Sequence, residues 1–246
     1  MTDYPPPSPD EPWAQSGYPR FYPPARVGAG LRVTAIIALI LVGAACLEAA
    51  GPWVGPTEGI RVGVAGDSQV QAAQYGPGLK EPDDPDHHVT DALNAVGYQA
   101  SVAGTIGSNT RDLVNWRAWP EPGAQTVVLA YGANDMNSSA TGEPAVPIAE
   151  AESNLRGFLE RVDPPEDGVD VCVVLVEIPE LAVAWGHDVW GPQWNAVLAT
   201  IADVVVPWSD LTEANPGYLG SDLVHQTPEG RAAYIDAIVA GVQACP

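Results

Sequence analysis

The chain is 246 residues long and strongly acidic, with 31 aspartates and glutamates against 10 lysines and arginines and a formal net charge of −21. Residues 58–246 carry 27 of the acidic and 7 of the basic side chains, so this part would repel phosphate backbones and anionic membrane surfaces. We therefore expect no nucleic-acid partner, and the acid-rich surface is explained by solubility.

The first 57 residues differ in composition from the rest. Residues 1–30 contain eight prolines and few aliphatic side chains, which predicts a disordered tail. Residues 33–47 are apolar except for Thr34 and follow three arginines, a pattern typical of an export segment. We place the export segment at 31–54 and the folded domain at 58–246, and we expect the domain to lie outside the cytoplasm.

The export segment has three interpretations. Uncleaved, it would anchor the chain, although fifteen helical residues span only about 22 Å of a hydrocarbon core of about 30 Å. Cleaved, it would release a secreted domain. Residues 42–45 look like a loose lipobox before Cys46, so lipidation of this cysteine is the third interpretation. Any membrane contact is expected through this segment alone.

From residue 58 onward, short valine-rich segments alternate with segments that carry apolar residues at helical spacing. Alternation of this kind predicts an α/β domain with a mainly parallel five-stranded sheet covered by helices on both faces. Thr227 before Pro228 is typical of a helix N-cap followed by proline at the first helical position. The predicted strands are 60–65, 99–103, 126–131, 169–176 and 201–206, and the predicted helices are 89–96, 110–116, 148–162, 193–201 and 228–242.

Residues able to carry out chemistry follow four of the predicted strands. In open parallel sheets, ligands bind beyond the carboxyl ends of the strands. Ser68 follows the first strand, Gly107 the second, Asn134 the third and His225 the fifth. Each signal is weak alone, since Gly-Asp-Ser and Asn-Asp are ordinary turn sequences. Their shared position at one edge of the sheet predicts an active site there.

These residue types together suit nucleophilic catalysis. A serine hydroxyl needs an imidazole to take its proton, and the imidazole needs a carboxylate to orient it. Ser68 is the candidate nucleophile, His225 the base and Asp222, three residues earlier, the orienting acid. Asn134 offers an uncharged amide donor for an oxyanion, and Gly107 offers a backbone N–H that no side chain obstructs.

The motifs resemble the SGNH, or GDSL-type, hydrolase family, named for the serine, glycine, asparagine and histidine of four sequence blocks. The resemblance covers about residues 60–245 and implies a flavodoxin-like three-layer α/β/α sandwich. It also implies an esterase that forms an acyl-enzyme, and we expect no cofactor or metal. The blocks are Gly66-Asp67-Ser68, Gly104-Thr105-Ile106-Gly107, Gly132-Ala133-Asn134-Asp135 and Asp222-Leu223-Val224-His225.

By this resemblance, Ser68, His225 and Asp222 form a catalytic triad. The implied oxyanion hole consists of the Ser68 and Gly107 amides and the Asn134 side chain, with Gly104 as an alternative to Gly107. The chain departs from the family in having glutamine where leucine usually follows Gly-Asp-Ser. This departure weakens any inference towards lipases and leaves the proposed catalytic set untouched.

The substrate expected from the sequence is a short-chain, acetyl-type ester on a carbohydrate or another small polar molecule. Three tryptophans after the fourth strand, Trp185, Trp190 and Trp194, either stack on sugar rings or fill the core. An O-acyltransferase with the same triad and a non-catalytic envelope binding protein are the alternative functions. The sequence does not indicate the oligomeric state.

Two further features of the sequence are open or weak. Cys172 is either a buried thiol or the partner of Cys245 in a disulfide, which an oxidising compartment would allow. His87 and His88 lie among aspartates, and a solvated loop explains this cluster better than a metal site.

Overall fold

The computed structural model describes residues 59–75, 88–115, 123–136, 144–162, 170–183 and 186–246. All of them belong to the compact unit Glu58–Pro246. The predicted tail, the export segment with Cys46, and Trp185 lie outside the described residues. Within the ranges given, no helix has the length and apolar character needed to cross a membrane.

Strands and helices alternate along the described chain, as the sequence predicts. The strands are β1 (Arg61–Gly66), β2 (Gln99–Gly104), β3 (Thr126–Ala130), β4 (Cys172–Val176) and β5 (Val204–Val206). The helices are α1 (Ser68–Tyr75), α2 (Val89–Ala95), α3 (Thr110–Asn115), α4 (Ile148–Val162), α5 (His187–Ile201), α6 (Trp208–Ala214) and α7 (Pro228–Gln243), with a 3-10 turn at Pro216–Tyr218.

The five described strands form one sheet in the order β2-β1-β3-β4-β5, and every neighbouring pair is parallel. This is the flavodoxin-like order, in which the direction of winding reverses beside β1. Gly66 at the end of β1 pairs with Gly104 of β2 and with Ala130 of β3. The loops that follow these three strands therefore leave the sheet at one level and at one edge.

Core residues lie on both faces of the sheet because successive strand side chains point to opposite sides. Val127 and Leu129 of β3 pack in the cluster that contains Phe158 of α4. Val128, between them, packs in the opposite cluster with Ile238 of α7. The two clusters confirm the predicted three-layer α/β/α sandwich.

Several element boundaries differ from the sequence prediction. Helix α5 begins at His187, six residues before the predicted start, because Gly191 and Pro192 look like helix breakers but are accommodated within the helix. Strands β4 and β5 are shorter than predicted, and α6 was not predicted. The predicted cap of α7 is confirmed, since the Thr227 hydroxyl oxygen accepts the Gly230 amide at 3.1 Å.

A disulfide joins Cys172, the first residue of β4, to Cys245 after the end of α7. Their Cα atoms are 6.0 Å apart, and 73 positions of sequence separate them. The structure thus resolves the question that the sequence left open in favour of the disulfide. The bond ties the C-terminus to the central part of the sheet.

Candidate active site

Ser68, His225 and Asp222 form a continuous hydrogen-bonded chain. The Oγ of Ser68 lies 2.7 Å from Nε2 of His225, and Nδ1 of the same ring lies 2.7 Å from Oδ2 of Asp222. Ser68 is the first residue of α1, and one residue separates it from the end of β1. His225 and Asp222 lie 157 and 154 positions later, in the loop before α7. The structure therefore brings together the three residues that the sequence singles out.

The Asp222–His225 turn fixes the carboxylate and the ring relative to each other. Oδ1 of Asp222 accepts the amides of Val224 and His225, both at 3.0 Å, which leaves Oδ2 for the ring. Leu223 has a φ of +57°, an unusual left-handed conformation for a side chain of this size. The Gly220 amide closes the turn by donating to the His225 carbonyl at 2.7 Å.

This arrangement selects one tautomer of His225. Nδ1–H donates to Asp222, so Nε2 presents its lone pair to the Ser68 hydroxyl and can accept its proton. The hydrogen bond with Asp222 raises the pKa of His225, while burial opposes that rise. Burial alone would raise the pKa of Asp222, but hydrogen bonds from the His225 ring and from the two amides outweigh it and hold this pKa below its usual value.

A second, buried carboxylate belongs to the residue directly before the serine. Asp67 is 1% exposed, and its Oδ1 accepts the Gln69 amide at 2.9 Å. Burial raises the pKa of Asp67 to about 7, and the Gln69 amide and His225 partly offset this rise. The negative charge of Asp67, when present, in turn raises the pKa of His225. The sequence shows Asp67 as part of a motif but does not show this electrostatic coupling.

Gly107 and Asn134 lie on two loops that contact each other. The Asn134 Nδ2 donates to the Ser108 carbonyl at 3.0 Å, which leaves its second amide hydrogen for another acceptor. Gly107 is exposed, with a φ of +74° and no atom within 4 Å of where a Cβ would lie. Its backbone is thus accessible, as an oxyanion donor must be.

Gly104 has a different role from Gly107. A Cβ on Gly104 would lie 2.4 Å from the Gln71 backbone nitrogen, so glycine allows α1 to approach the end of β2 closely. Packing against α1 therefore explains why residue 104 is a glycine. It leaves Gly107 as the better candidate for the oxyanion donor from the loop after β2.

Asp135 joins the Asn134 loop to helix α3. Both of its carboxylate oxygens accept the Thr110 amide, at 3.1 and 3.2 Å, and Oδ1 also accepts the Thr110 hydroxyl. Burial raises the pKa of Asp135 to about 6, although the hydrogen bonds from Thr110 lower it. The sequence places Asp135 in a motif but gives no sign of its distant partner.

Helix α5 supports the same loop from the other side. The Trp194 Nε1–H donates to the Tyr131 carbonyl at 2.9 Å, and Trp190 stacks on Trp194 with ring centroids 5.3 Å apart. Both tryptophans are buried in the core. Of the two roles that the sequence allows for these tryptophans, packing is therefore confirmed for Trp190 and Trp194. Trp190 lies before the predicted start of the helix, and Trp194 lies within the predicted helix 193–201.

A cleft of about 260 Å³ lies beside the Gly107 loop. Its lining combines apolar surface with hydroxyl, carboxylate and amide side chains that can bind hydroxyl groups. The lining residues are Thr105, Ile106, Gly107, Ser108, Asp112, Asn115 and Tyr131. The part of the chain that the structure describes contains no cluster of three or more histidine, cysteine, aspartate or glutamate residues able to hold a metal. His87 lies outside that part.

Solved structures of lipases and esterases share this fold. A lipase/acylhydrolase from Enterococcus faecalis is 20% identical and aligns with 74% of this chain and 95% of its own, with a TM-score of 0.53. The acetylxylan esterase Axe2 from Geobacillus stearothermophilus is 19% identical, with coverages of 75% and 94% and a TM-score of 0.55. An alpha/beta hydrolase enzyme from the metagenome of Lake Arreo, Spain, is 20% identical, with coverages of 75% and 95% and a TM-score of 0.54.

These similarities confirm the SGNH hydrolase fold that the motif resemblance implies. No protein-family model matches the sequence, and no curated protein matches it.

Proposed function

We propose that this chain is a serine ester hydrolase of the SGNH, or GDSL-type, family that cleaves short, acetyl-type esters on a carbohydrate or another polar substrate. The observation that carries the proposal is the hydrogen-bonded chain from Ser68 through His225 to Asp222. A hydroxyl, an imidazole and a carboxylate in this order can activate the serine at neutral pH.

Acyl transfer to the enzyme follows from this geometry. His225 takes the Ser68 proton as Oγ attacks the ester carbonyl, and Asp222 stabilises the imidazolium that results. The Ser68 and Gly107 amides and the second Asn134 amide hydrogen stabilise the oxyanion as it forms. His225 then protonates the leaving alcohol, and a water molecule activated by the same ring hydrolyses the acyl-enzyme.

The polar side chains in the cleft and the charge of the chain support a small, polar substrate. Thr105, Ser108, Asp112 and Asn115 can bind the hydroxyl groups of a sugar. A net charge of −20 on residues 58–246 disfavours anionic substrates. One of the similar structures is an acetylxylan esterase, which acts on a substrate of the proposed class.

An extracytoplasmic location is part of the proposal. The apolar segment within 31–54 and the arginines before it are typical of export, and the chain would then be membrane-anchored or, if cleaved, secreted. The disulfide between Cys172 and Cys245 supports this location, because such bonds persist in oxidising compartments.

The test compares wild-type protein with Ser68→Ala, using p-nitrophenyl acetate and a fluorophosphonate probe that labels active serines. We expect the wild type to be labelled and to hydrolyse the ester, and Ser68→Ala to lose labelling and at least about 10³-fold of the rate. Ser221→Ala, which alters an exposed serine one residue from Asp222, is the matched control and should behave as wild type.

Other outcomes would favour the alternatives. Labelling without hydrolysis would favour an O-acyltransferase, and neither labelling nor hydrolysis would favour a non-catalytic binding protein. Faster turnover of acetylated xylooligosaccharides than of long-chain p-nitrophenyl esters would support the proposed substrate class, and the reverse order would contradict it.

A further inference from the structure

A second histidine, remote from the triad in sequence, lies against the Asn134 loop. His187 begins helix α5 and is 1% exposed. Its Nε2 is 3.1 Å from the Ala133 carbonyl oxygen, and its Nδ1 is 3.1 Å from the Pro179 carbonyl oxygen. The ring therefore bridges the loop after β3 and the loop after β4.

The neutral His187 ring can donate a hydrogen bond to only one of the two carbonyls. Burial lowers the pKa of His187, although its hydrogen bonds to the two carbonyls oppose this shift. A neutral imidazole carries a single N–H and can donate to one of the two oxygens. The tautomer then decides which loop is held by a hydrogen bond.

The loop after β4 has another side chain to hold it. Asn195, two turns along α5, accepts the Ile178 amide and donates to the Ile178 carbonyl, each at 3.1 Å. It also donates to Glu180 at 2.9 Å. A proton on Nε2 of His187 would instead hold the Ala133 carbonyl. This carbonyl belongs to the peptide bond between Ala133 and Asn134, so the hydrogen bond would act on the candidate oxyanion donor.

We propose that His187 is a positioning residue for the oxyanion hole: its Nε2–H holds the Ala133 carbonyl and thereby fixes the orientation of Asn134. This inference rests on the proposed esterase function. His187 touches neither the substrate nor the reacting atoms and acts through the backbone. Loss of the contact should lower kcat with little change in KM, because an oxyanion donor acts in the transition state.

The sharpest test uses two amide substitutions that differ in reach. A glutamine side chain extends its amide about as far as Nε2, whereas the shorter asparagine amide reaches only about as far as Nδ1. We expect His187→Gln to keep kcat for p-nitrophenyl acetate within about threefold of wild type. We expect His187→Asn to lower it about 10- to 100-fold with KM within about twofold. Equal losses in two variants with equal melting temperatures would overturn the inference.

A double-mutant cycle separates positioning from general packing. In an Asn134→Ala background, His187→Asn should change kcat by less than about twofold, because the side chain it positions is gone. If the loss of kcat in the double mutant equals the product of the losses in the two single mutants, His187 acts independently of Asn134 and the inference is overturned.

Ring nitrogen NMR tests the inference without using activity. Long-range ¹H–¹⁵N spectra of the full-length chain should show a protonated Nε2 and an unprotonated Nδ1 for His187. A neutral ring protonated at Nδ1 would overturn the inference whatever the kinetics. Absence of turnover in the wild type, by contrast, would count against the proposed esterase function and would leave the NMR result to decide the role of His187.

Discussion

The indole of Trp194 occupies the space where a side chain on Gly132 would have to lie. Its Nε1–H donates to the Tyr131 carbonyl, and a Cβ on Gly132 would be 2.3 Å from Nε1. Gly132 also has a φ of +130°, which other residues rarely adopt. The glycine of this motif therefore lets helix α5 approach the backbone two residues before Asn134.

Gly132→Ala should destabilise the fold by about 1–3 kcal/mol, because the new methyl group clashes with the indole and the backbone conformation is strained. Urea unfolding would measure this change. The matched control is Gly157→Ala in α4, where a Cβ meets nothing within 4 Å. That substitution should stabilise the fold by about 0.5–1 kcal/mol, as expected for alanine in a helix. Unchanged stability of Gly132→Ala would contradict both the clash with the indole and the backbone strain.

The pH dependence of kcat/KM should report the pKa of His225. Only the neutral ring can accept the Ser68 proton, so activity should rise with pH through this pKa. The hydrogen bond with Asp222 raises the pKa of His225. The midpoint of the acidic limb of the kcat/KM profile should therefore lie above about pH 6.5, the usual pKa of histidine.

Asp222→Asn should move that limb to lower pH, since the carboxylate that stabilises the imidazolium is lost. It should also lower kcat by about 10⁴-fold, the loss known when the corresponding acid of a serine triad is replaced by its amide. A limb at the same pH in Asp222→Asn and wild type would contradict the assigned role of Asp222.

Asp67→Asn should stabilise the protein increasingly as the pH rises. The pKa of Asp67 is about 7 in the folded state against an ordinary value of 3.8. Between these values the folded state retains a proton that the unfolded state releases, so the contribution of Asp67 to the stability of the wild type falls as pH rises through this interval. The difference in melting temperature between Asp67→Asn and wild type should therefore widen from about pH 4 to about pH 8.

The same substitution has a second, kinetic readout. Removing the charge of Asp67 removes one contribution that raises the pKa of His225, so the acidic limb of kcat/KM should move to lower pH. A constant melting difference across the pH range would show that the Asp67 carboxyl does not titrate differently in the folded protein.

Removal of the disulfide should lower stability by up to about 4 kcal/mol, the loop-closure value for a bridge of this sequence separation. The measurement is the melting temperature of a Cys172→Ala/Cys245→Ala variant beside that of the wild type. Dithiothreitol should lower the melting temperature of the wild type and leave that of the variant unchanged. A wild type insensitive to the reductant would contradict a stabilising bond.

The sequence predicted those parts of the fold whose signals are local. Helix α4 was predicted with both ends at the observed residues, since its apolar spacing is regular. The strands β1 and β3 were recognised because the central strands of a parallel sheet are buried on both faces and are rich in valine. The Thr227 cap is likewise a short-range pattern, complete within four residues.

The sequence did not predict features that depend on distant partners. The start of α5 was missed because Gly191 and Pro192 disfavour a helix locally, whereas packing of Trp190 and Trp194 in the core favours it. His187 had no recognisable partner, since the Ala133 carbonyl lies 54 positions away. The contact between Asp135 and Thr110 spans 25 positions and was missed for the same reason.

Asp222 and His225 share one four-residue turn, whereas Ser68 reaches them from the opposite end of the domain's sequence. Detachment of the segment before α7 would carry both partners away together. Ser68 would then be an ordinary alcohol with no group to take its proton. A partly unfolded molecule would thus be inert toward esters rather than indiscriminately reactive.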